Sequence, residues 1–160
     1  MRYNGSMNQS EILKQILIDA SLVQTDPTLS WRCFIGKLPD GVGVLDEAVA
    51  IIQREDTQDE QYQTNTQYVL HPVIPILVRA VDYQRSYDKA RELADFIDLF
   101  RDVSPSTDSS ICVCATERRK DIQTYKQDGR GRYVLASNIN CDCAQRVTRA
   151  CSSVRISLNR

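Results

Sequence analysis

The strongest constraint on the fold is a buried strand that runs directly into an amphipathic helix, over residues 69–80 and 82–100. Residues 73–80 carry β-branched and aliphatic side chains, which is typical of a well-buried strand. Asp82 is placed as the helix N-cap. After it, apolar side chains recur at spacings of four and three and two more widen the stripe: Tyr83, Tyr87, Ala90, Ala94 and Ile97, then Leu93 and Phe100. We therefore expect a helix that lies on a sheet.

The outward face of this helix is predicted to be charged. Its side chains are Arg85, Asp88, Lys89, Arg91, Glu92 and Asp95. None of them is a His, Ser or Cys that could act as a base or nucleophile. This strand and helix are therefore suited to packing rather than to catalysis.

The segments before this unit predict one helix and two strands. A capping box of Asn8 and Glu11, or a cap at Ser10, opens a helix that is expected to end near Leu22. Strands are predicted over residues 31–37 and 48–53, and the loop between them suits antiparallel pairing. Gly41 and the following residues have too few features of a phosphate loop, so we interpret them as a hairpin turn.

The segments after the helix predict three further strands. These cover residues 111–116, 122–126 and 133–147, with a glycine-containing turn over 127–132. The pattern predicts an α+β fold: a mostly antiparallel β-sheet with a long amphipathic helix and an N-terminal helix packed on one face. We expect a flexible N-terminus over residues 1–9, a single domain over residues 10–147 and a basic C-terminal tail over residues 148–160.

Charge is divided unevenly along a chain whose net charge is only −1. Residues 1–115 hold ten Lys and Arg against 17 Asp and Glu, whereas residues 116–160 hold ten against four. Opposite halves suit head-to-tail contacts between copies, although an unevenly charged solvated surface gives the same numbers. Two segments are predicted to bind partners, an acidic loop and the basic tail. Their candidate residues are Glu55, Asp56, Asp59 and Glu60, then Arg146, Arg149, Arg155 and Arg160.

Metal and cofactor sites are not expected. Two Cys-x-Cys pairs lie in predicted strands, where side chains two residues apart are separated by roughly 6.5–7 Å, whereas two thiolates on one zinc come within about 4 Å. These weak metal candidates are Cys112, Cys114, Cys141 and Cys143. We expect them to be reduced and packed as small apolar groups, and we assign the single histidine, His71 beside Pro72, a structural role.

Nucleic-acid and membrane binding are also not expected. The basic residues of the last third, with Tyr125 and Tyr133 as stacking groups, suit nucleic acid, but the sequence pI is about 5.8 and a dedicated binder is usually strongly basic. No apolar run approaches the roughly 20 residues of a membrane span. We expect a soluble intracellular protein. We expect it to have no catalytic residues.

Several segments resemble minor capsid or tail terminator proteins of tailed bacteriophages. They are residues 31–40 (WRCFIGKLPD), the strand over 48–53, residues 73–80, and the helix containing Asp82-Tyr83 and Tyr87-Asp88-Lys89-Ala90. The resemblance implies a non-enzymatic α+β subunit that forms a hexameric ring on the tail tube and joins it to the head connector, in a virion assembled in the host cytoplasm. The acidic loop, the Cys-x-Cys pairs and the basic tail depart from this pattern. A head-closure or neck protein, and a metal- or nucleic-acid-binding module, stay open as alternatives.

Overall fold

A computed structural model describes residues 9–41, 44–52, 69–70, 73–98, 101–107, 111–118 and 122–145. Two helices and eight strands occur in this part of the chain. In chain order they are α1 (Gln9–Asp19), β1 (Arg32–Ile35), β2 (Ala48–Ile51), β3 (Val69–Leu70), β4 (Val73–Ala80), α2 (Tyr83–Ile97), β5 (Arg101–Val103), β6 (Ile111–Arg118), β7 (Gln123–Gln127) and β8 (Tyr133–Gln145). Within these described ranges, neither helix has the length and apolar character needed to cross a membrane.

The long strand β8 organises the sheet. It pairs with β4 along one edge, and β6 and β7 pair in succession with its other edge. The main strand order is β1-β2-β4-β8-β6-β5, and β3 also pairs with β8. Every described strand pair except β1–β2 is antiparallel. The prediction of an α+β fold with a mostly antiparallel sheet is confirmed.

The predicted antiparallel pairing of the first two strands is wrong. β1 and β2 are parallel, with Arg32 opposite Ala48 and Ile35 opposite Ile51. A parallel pair needs a crossover of about a dozen residues, and residues 36–47 provide it. Gly41 therefore lies in a crossover rather than in a hairpin turn. Residues 36–47 return the chain from the end of β1 to the start of β2, and we call them the crossover.

One core joins both helices to a single face of the sheet. Successive strand side chains point to opposite faces, and the core takes alternate residues of each long strand. Its members include Ile12, Leu13, Ile16 and Leu17 of α1, Ala90, Leu93 and Ile97 of α2, and Val49, Ile51, Ile74, Ile76, Val78, Leu135 and Ile139 of the sheet. Burying each large aliphatic side chain contributes about 1.5–3 kcal/mol.

The helix boundaries differ in detail from the prediction. Ser10 lies buried inside α1 rather than capping it, and Asn8 lies outside the described residues. The helix ends at Asp19 instead of near Leu22, and Ser21 has a left-handed backbone with φ +59°. Asp82 takes the N-cap position of α2 with an extended backbone, but its side chain makes no capping hydrogen bond. α2 ends at Ile97, and the short strand β5 follows where no strand was predicted.

Lys89 is not on the outward face of α2, as the charge pattern predicted. It is 9% exposed. Its Nζ donates to Glu92 Oε2 at 2.9 Å and lies 5.5 Å from the ring centroid of Trp31. A long aliphatic stem lets lysine enter an apolar surface while its ammonium keeps polar and aromatic partners.

Candidate assembly surface

Arg79 hydrogen-bonds the crossover to strand β4 of the sheet. It lies near the end of β4 on the face opposite the helices and is 1% exposed. Its Nε donates to the Asp46 carbonyl at 3.0 Å, Nη1 to the Pro39 carbonyl at 2.7 Å, and Nη2 to the Leu45 carbonyl at 3.0 Å. The planar guanidinium presents its donors in a wide and rigid fork that reaches separate carbonyls, whereas a lysine ammonium is a compact point charge. One side chain of a core strand therefore holds both ends of the crossover.

Arg132 makes a second set of contacts, with carboxylates. It is 2% exposed, and its three nitrogens donate to Asp128 Oδ2 at 2.7 Å, Asp40 Oδ1 at 2.7 Å and Asp46 Oδ1 at 3.2 Å. Desolvation lowers the pKa of Arg132, but the hydrogen bonds that it donates to Asp40 and Asp128 outweigh this effect, so the pKa is raised. The sequence places this arginine in a turn, where side chains are usually exposed, but the structure buries it.

Asp128 gives the turn between β7 and β8 its shape. Its Oδ1 accepts hydrogen bonds from the backbone N–H groups of Arg130 and Arg132, both at 3.0 Å. Gly131 has φ +77°, a left-handed conformation that glycine adopts without a steric cost, and its N–H donates to the Asp128 carbonyl at 2.9 Å. Desolvation raises the pKa of Asp128, but the hydrogen bonds from Arg132 and Arg130 prevail and lower it. The predicted hairpin over residues 127–132 is confirmed.

These two arginines form one unit with three carboxylates. We call it the arginine clasp, made of Arg79, Arg132, Asp40, Asp46 and Asp128. Asp46 is shared, because Arg79 binds its carbonyl and Arg132 its carboxylate. Arg130 adds a longer contact to Asp40, at 3.6 Å. The clasp holds the crossover and the β7–β8 turn in one arrangement.

A cavity of about 670 Å³ adjoins the clasp on the sheet face opposite the helices. Its walls mix apolar side chains of β4 and β8 with polar ones of β7 and the crossover. They include Leu77, Val134, Ala136, Lys37, Gln123 and Thr124, and the clasp residues Arg79, Asp40 and Asp128.

The large exposed apolar side chains of the described residues gather at one end of the sheet. They are Val81 (59% exposed), Leu29 (46%), Tyr83 (42%) and Leu45 (39%). The pairing register places Arg32, Ala48, Arg79 and Val134 in one row across β1, β2, β4 and β8. Leu29 and Leu45 precede this row on β1 and β2, and Val81 and Tyr83 follow it after β4. We call these four residues the apolar end.

Aromatic and ionic contacts support the apolar end. The Tyr83 ring stacks on Tyr87 with centroids 6.2 Å apart and meets the Tyr133 ring edge-on at 5.6 Å. Arg85 of α2 forms an ion pair with Glu47, the last residue of the crossover. Each aromatic pair contributes about 0.5–1.5 kcal/mol beyond its burial. The N-terminus of α2 is therefore tied to β8 and to the crossover.

The loop that carries Leu29 is also ordered by its own hydrogen bonds. Asp26 Oδ1 accepts from the Thr28 N–H at 2.8 Å and from the Thr28 hydroxyl at 2.7 Å, an Asx turn. Trp31 follows with φ +64°, a strained conformation for a bulky residue. Its N–H donates to the Glu47 carbonyl at 3.2 Å. The strain persists because the loop and the crossover are hydrogen-bonded to each other.

The predicted partner-binding residues lie outside the described residues. This holds for the acidic loop and for the basic tail: Glu55, Asp56, Asp59 and Glu60, and Arg146, Arg149, Arg155 and Arg160. His71 also lies outside them. Their roles stay predictions.

The Cys-x-Cys pairs lie in strands β6 and β8, as predicted. Cys143 pairs with Val113 and Cys141 with Thr116, and the register of β6 shifts between Val113 and Ala115, at Cys114. Their side chains are outside the described part, so the prediction that they pack as reduced thiols stays a prediction. Where side chains are described, no three His, Cys, Asp or Glu groups are placed to hold a metal ion.

The apolar end and the clasp were not identified from the sequence. Arg79 is the one charged residue in a strand of aliphatic side chains, and this was an available signal. The partners of Arg132 were not deducible, because Asp40 and Asp46 are more than 80 residues away in sequence.

Comparison with known proteins identifies a family that this chain matches. A family model described as bacteriophage tail terminator protein matches residues 16–145, a range that runs from α1 to the last residue of β8. No curated protein matches the chain.

Proposed function

The chain belongs to the bacteriophage tail terminator protein family, and from this premise we propose that copies of it close into a ring that caps the tail tube and joins it to the head connector. The family is one of structural proteins, so the chain is a structural component of the phage tail. The family match carries the proposal, because it covers the end of α1, the whole of α2 and all eight described strands.

The apolar end supports a role in assembly. Isolated exposed apolar residues are ordinary on a protein surface, but a cluster of them marks an interaction site. Here they lie on segments fixed by the clasp and by the Arg85–Glu47 ion pair. Little conformational freedom is then lost on binding, which favours association.

The two charged segments supply further proposed contacts. The loop with Glu55, Asp56, Asp59 and Glu60 would meet a neighbouring copy or a tube subunit. The C-terminal residues Arg146, Arg149, Arg155 and Arg160 would meet a partner protein, a term that includes a further copy of this chain. Complementary charge would set the register of these contacts and speed their formation. The parts would meet in the host cytoplasm, where virions assemble.

Electron microscopy of the purified chain, alone and mixed with tail tube protein, tests the proposal. We expect closed rings of six subunits and one ring at the end of each tube, with tubes of uniform length. A chain that stays monomeric and leaves tube ends bare would contradict the proposal. A chain that binds the head connector and leaves the tube unbound would instead be a neck protein.

A further inference from the structure

We propose that the C-terminal segment of one copy, residues 146–160, docks on the apolar end of the next copy. This inference rests on the proposed ring and identifies the contact that closes it. It commits to one occupant of the apolar end, a second copy of this chain.

The segment and the apolar end are complementary in charge. The segment contains Arg146, Arg149, Arg155 and Arg160 and no acidic residue. Two exposed carboxylates, Asp26 and Asp82, flank the apolar end. The Asp82 side chain makes no capping hydrogen bond with α2. Arginine side chains that approach Asp26 and Asp82 would make charge-assisted hydrogen bonds.

The two surfaces are also complementary in apolar pattern. In residues 154–158, Val154, Ile156 and Leu158 alternate with Arg155 and Ser157. This period of two predicts an extended segment with one apolar face. The apolar end offers Leu29, Leu45, Val81 and Tyr83 to such a face. The arginines on the opposite face or beyond the run can reach the flanking carboxylates, Asp26 and Asp82.

The length of β8 favours docking of the segment on a neighbouring copy rather than on its own copy. Tyr133, the first residue of β8, contacts Tyr83 at the apolar end, whereas Gln145 lies at the other end of the strand. At about 3.3 Å per residue, β8 spans about 40 Å. Val154 is nine residues beyond Gln145, a reach of about 30 Å when fully extended. The run 154–158 therefore falls short of lying across its own apolar end.

A contact from one end of a copy to the opposite end of the next is head-to-tail. Such heterologous contacts form closed rings when the rotation between copies closes. The apolar end of each copy would then be covered by its neighbour in the finished ring, and no copy would be left with an unpaired end.

Two variants of the chain test the contact, because each lacks the half that the other keeps. The first ends at Gln145 and keeps the apolar end; the second carries V81R/D82R and keeps the segment. Each lacks one half of the contact, so each alone should be monomeric in sedimentation velocity. Mixed in equal amounts they should form a heterodimer, because one intact contact remains. Raising the ionic strength from about 0.1 M to about 1 M should weaken this heterodimer, since the screening length falls from about 10 Å to about 3 Å.

The matched control is R91E/D95R, which reverses an exposed ion pair farther along α2. It should form rings like the unmodified chain. If V81R/D82R fails to fold by circular dichroism, V81R alone takes its place. Rings formed by the chain that ends at Gln145, or no association in the mixture, would overturn this inference and leave the ring itself intact. An unmodified chain that forms no ring, alone or on the tube, would overturn the proposed function.

Discussion

Arg79 Nε donates to the carbonyl oxygen of Asp46 at 3.0 Å, so that a core strand directly holds the end of the crossover. The same guanidinium binds the carbonyls of Pro39 and Leu45. These bonds replace the water that the three carbonyls would otherwise bind. They hold the segment just before β2 against the sheet and thereby position Leu45.

Replacing Arg79 with methionine should lower the free energy of unfolding by about 2–4 kcal/mol. The carbonyls of Pro39, Leu45 and Asp46, whose hydrogen bonds to Arg79 are partly buried, would lose their donors, and each unsatisfied group costs about 1–3 kcal/mol when it is buried. Relief of the buried charge offsets part of this loss. Urea denaturation measures the change. Arg91→Met, on the exposed face of α2, is the control and should change stability by less than about 0.5 kcal/mol. Equal stabilities of the two variants would contradict this account of the clasp.

Stability should decrease in acid partly through Asp128. Its pKa in the folded protein lies below the ordinary value of 3.8, because hydrogen bonds from Arg132 and Arg130 outweigh desolvation. A lowered carboxyl pKa contributes stability that is fully present above the unfolded pKa and is lost as the pH falls through the folded pKa. Asp128→Asn should therefore cost about 1–2 kcal/mol at pH 7.

The test of this pH dependence is the difference between the two proteins at several pH values. The difference in unfolding free energy between the unmodified chain and Asp128→Asn should shrink as the pH falls below 3.8. Asp88→Asn, at an exposed position on α2, is the control, and its unfolding free energy should differ little from that of the unmodified chain at each of these pH values. A constant gap for Asp128→Asn across the range would argue against an ionised Asp128 in the clasp.

The local elements could be predicted because short-range patterns specify them. The aliphatic run of β4 and the spacing of Leu93 and Ile97 in α2 fix a strand and a helix without reference to the rest of the chain. Lys89 shows the limit of this reasoning. Its position on the helix predicts exposure, but the Trp31 ring, from a segment nearly 60 residues earlier, covers it.

The candidate surface could not be predicted because it depends on the pairing of distant segments. The pairing of β2 with β4 and of β4 with β8 brings Asp46 close to Arg132 and places Leu45 at the same end as Val81. A connection of the length of residues 36–47 permits parallel or antiparallel pairing of β1 with β2, and the parallel choice places Leu29 at that end as well. Local sequence patterns identify a hairpin such as the one over residues 127–132, but they do not specify which strand ends from distant segments share an edge of the sheet.

Cys33 should resist alkylation in the folded protein. It is 2% exposed, and desolvation raises the pKa of its thiol to about 12, with a small opposing effect of Lys14. The reactive species is the thiolate, which is scarce at pH 8 for such a thiol. Iodoacetamide treatment at pH 8 followed by peptide mass spectrometry should leave Cys33 unmodified, whereas treatment in guanidinium chloride should modify it. Complete alkylation of Cys33 in the native protein would contradict its burial.

Tyr83→Ala and Leu93→Ala should separate assembly from folding on the same helix. Leu93 is 1% exposed in the core, so its loss should lower the free energy of unfolding by about 2–5 kcal/mol. Tyr83 is 42% exposed, and removing its two aromatic contacts, with Tyr87 and Tyr133, should cost about 1–3 kcal/mol in total. If the apolar end is an interface, Tyr83→Ala should weaken association between copies by tenfold or more, as central aromatic residues do. Sedimentation velocity measures association and urea denaturation measures stability. A Tyr83→Ala protein that assembles as tightly as the unmodified chain would place the interface elsewhere on the molecule.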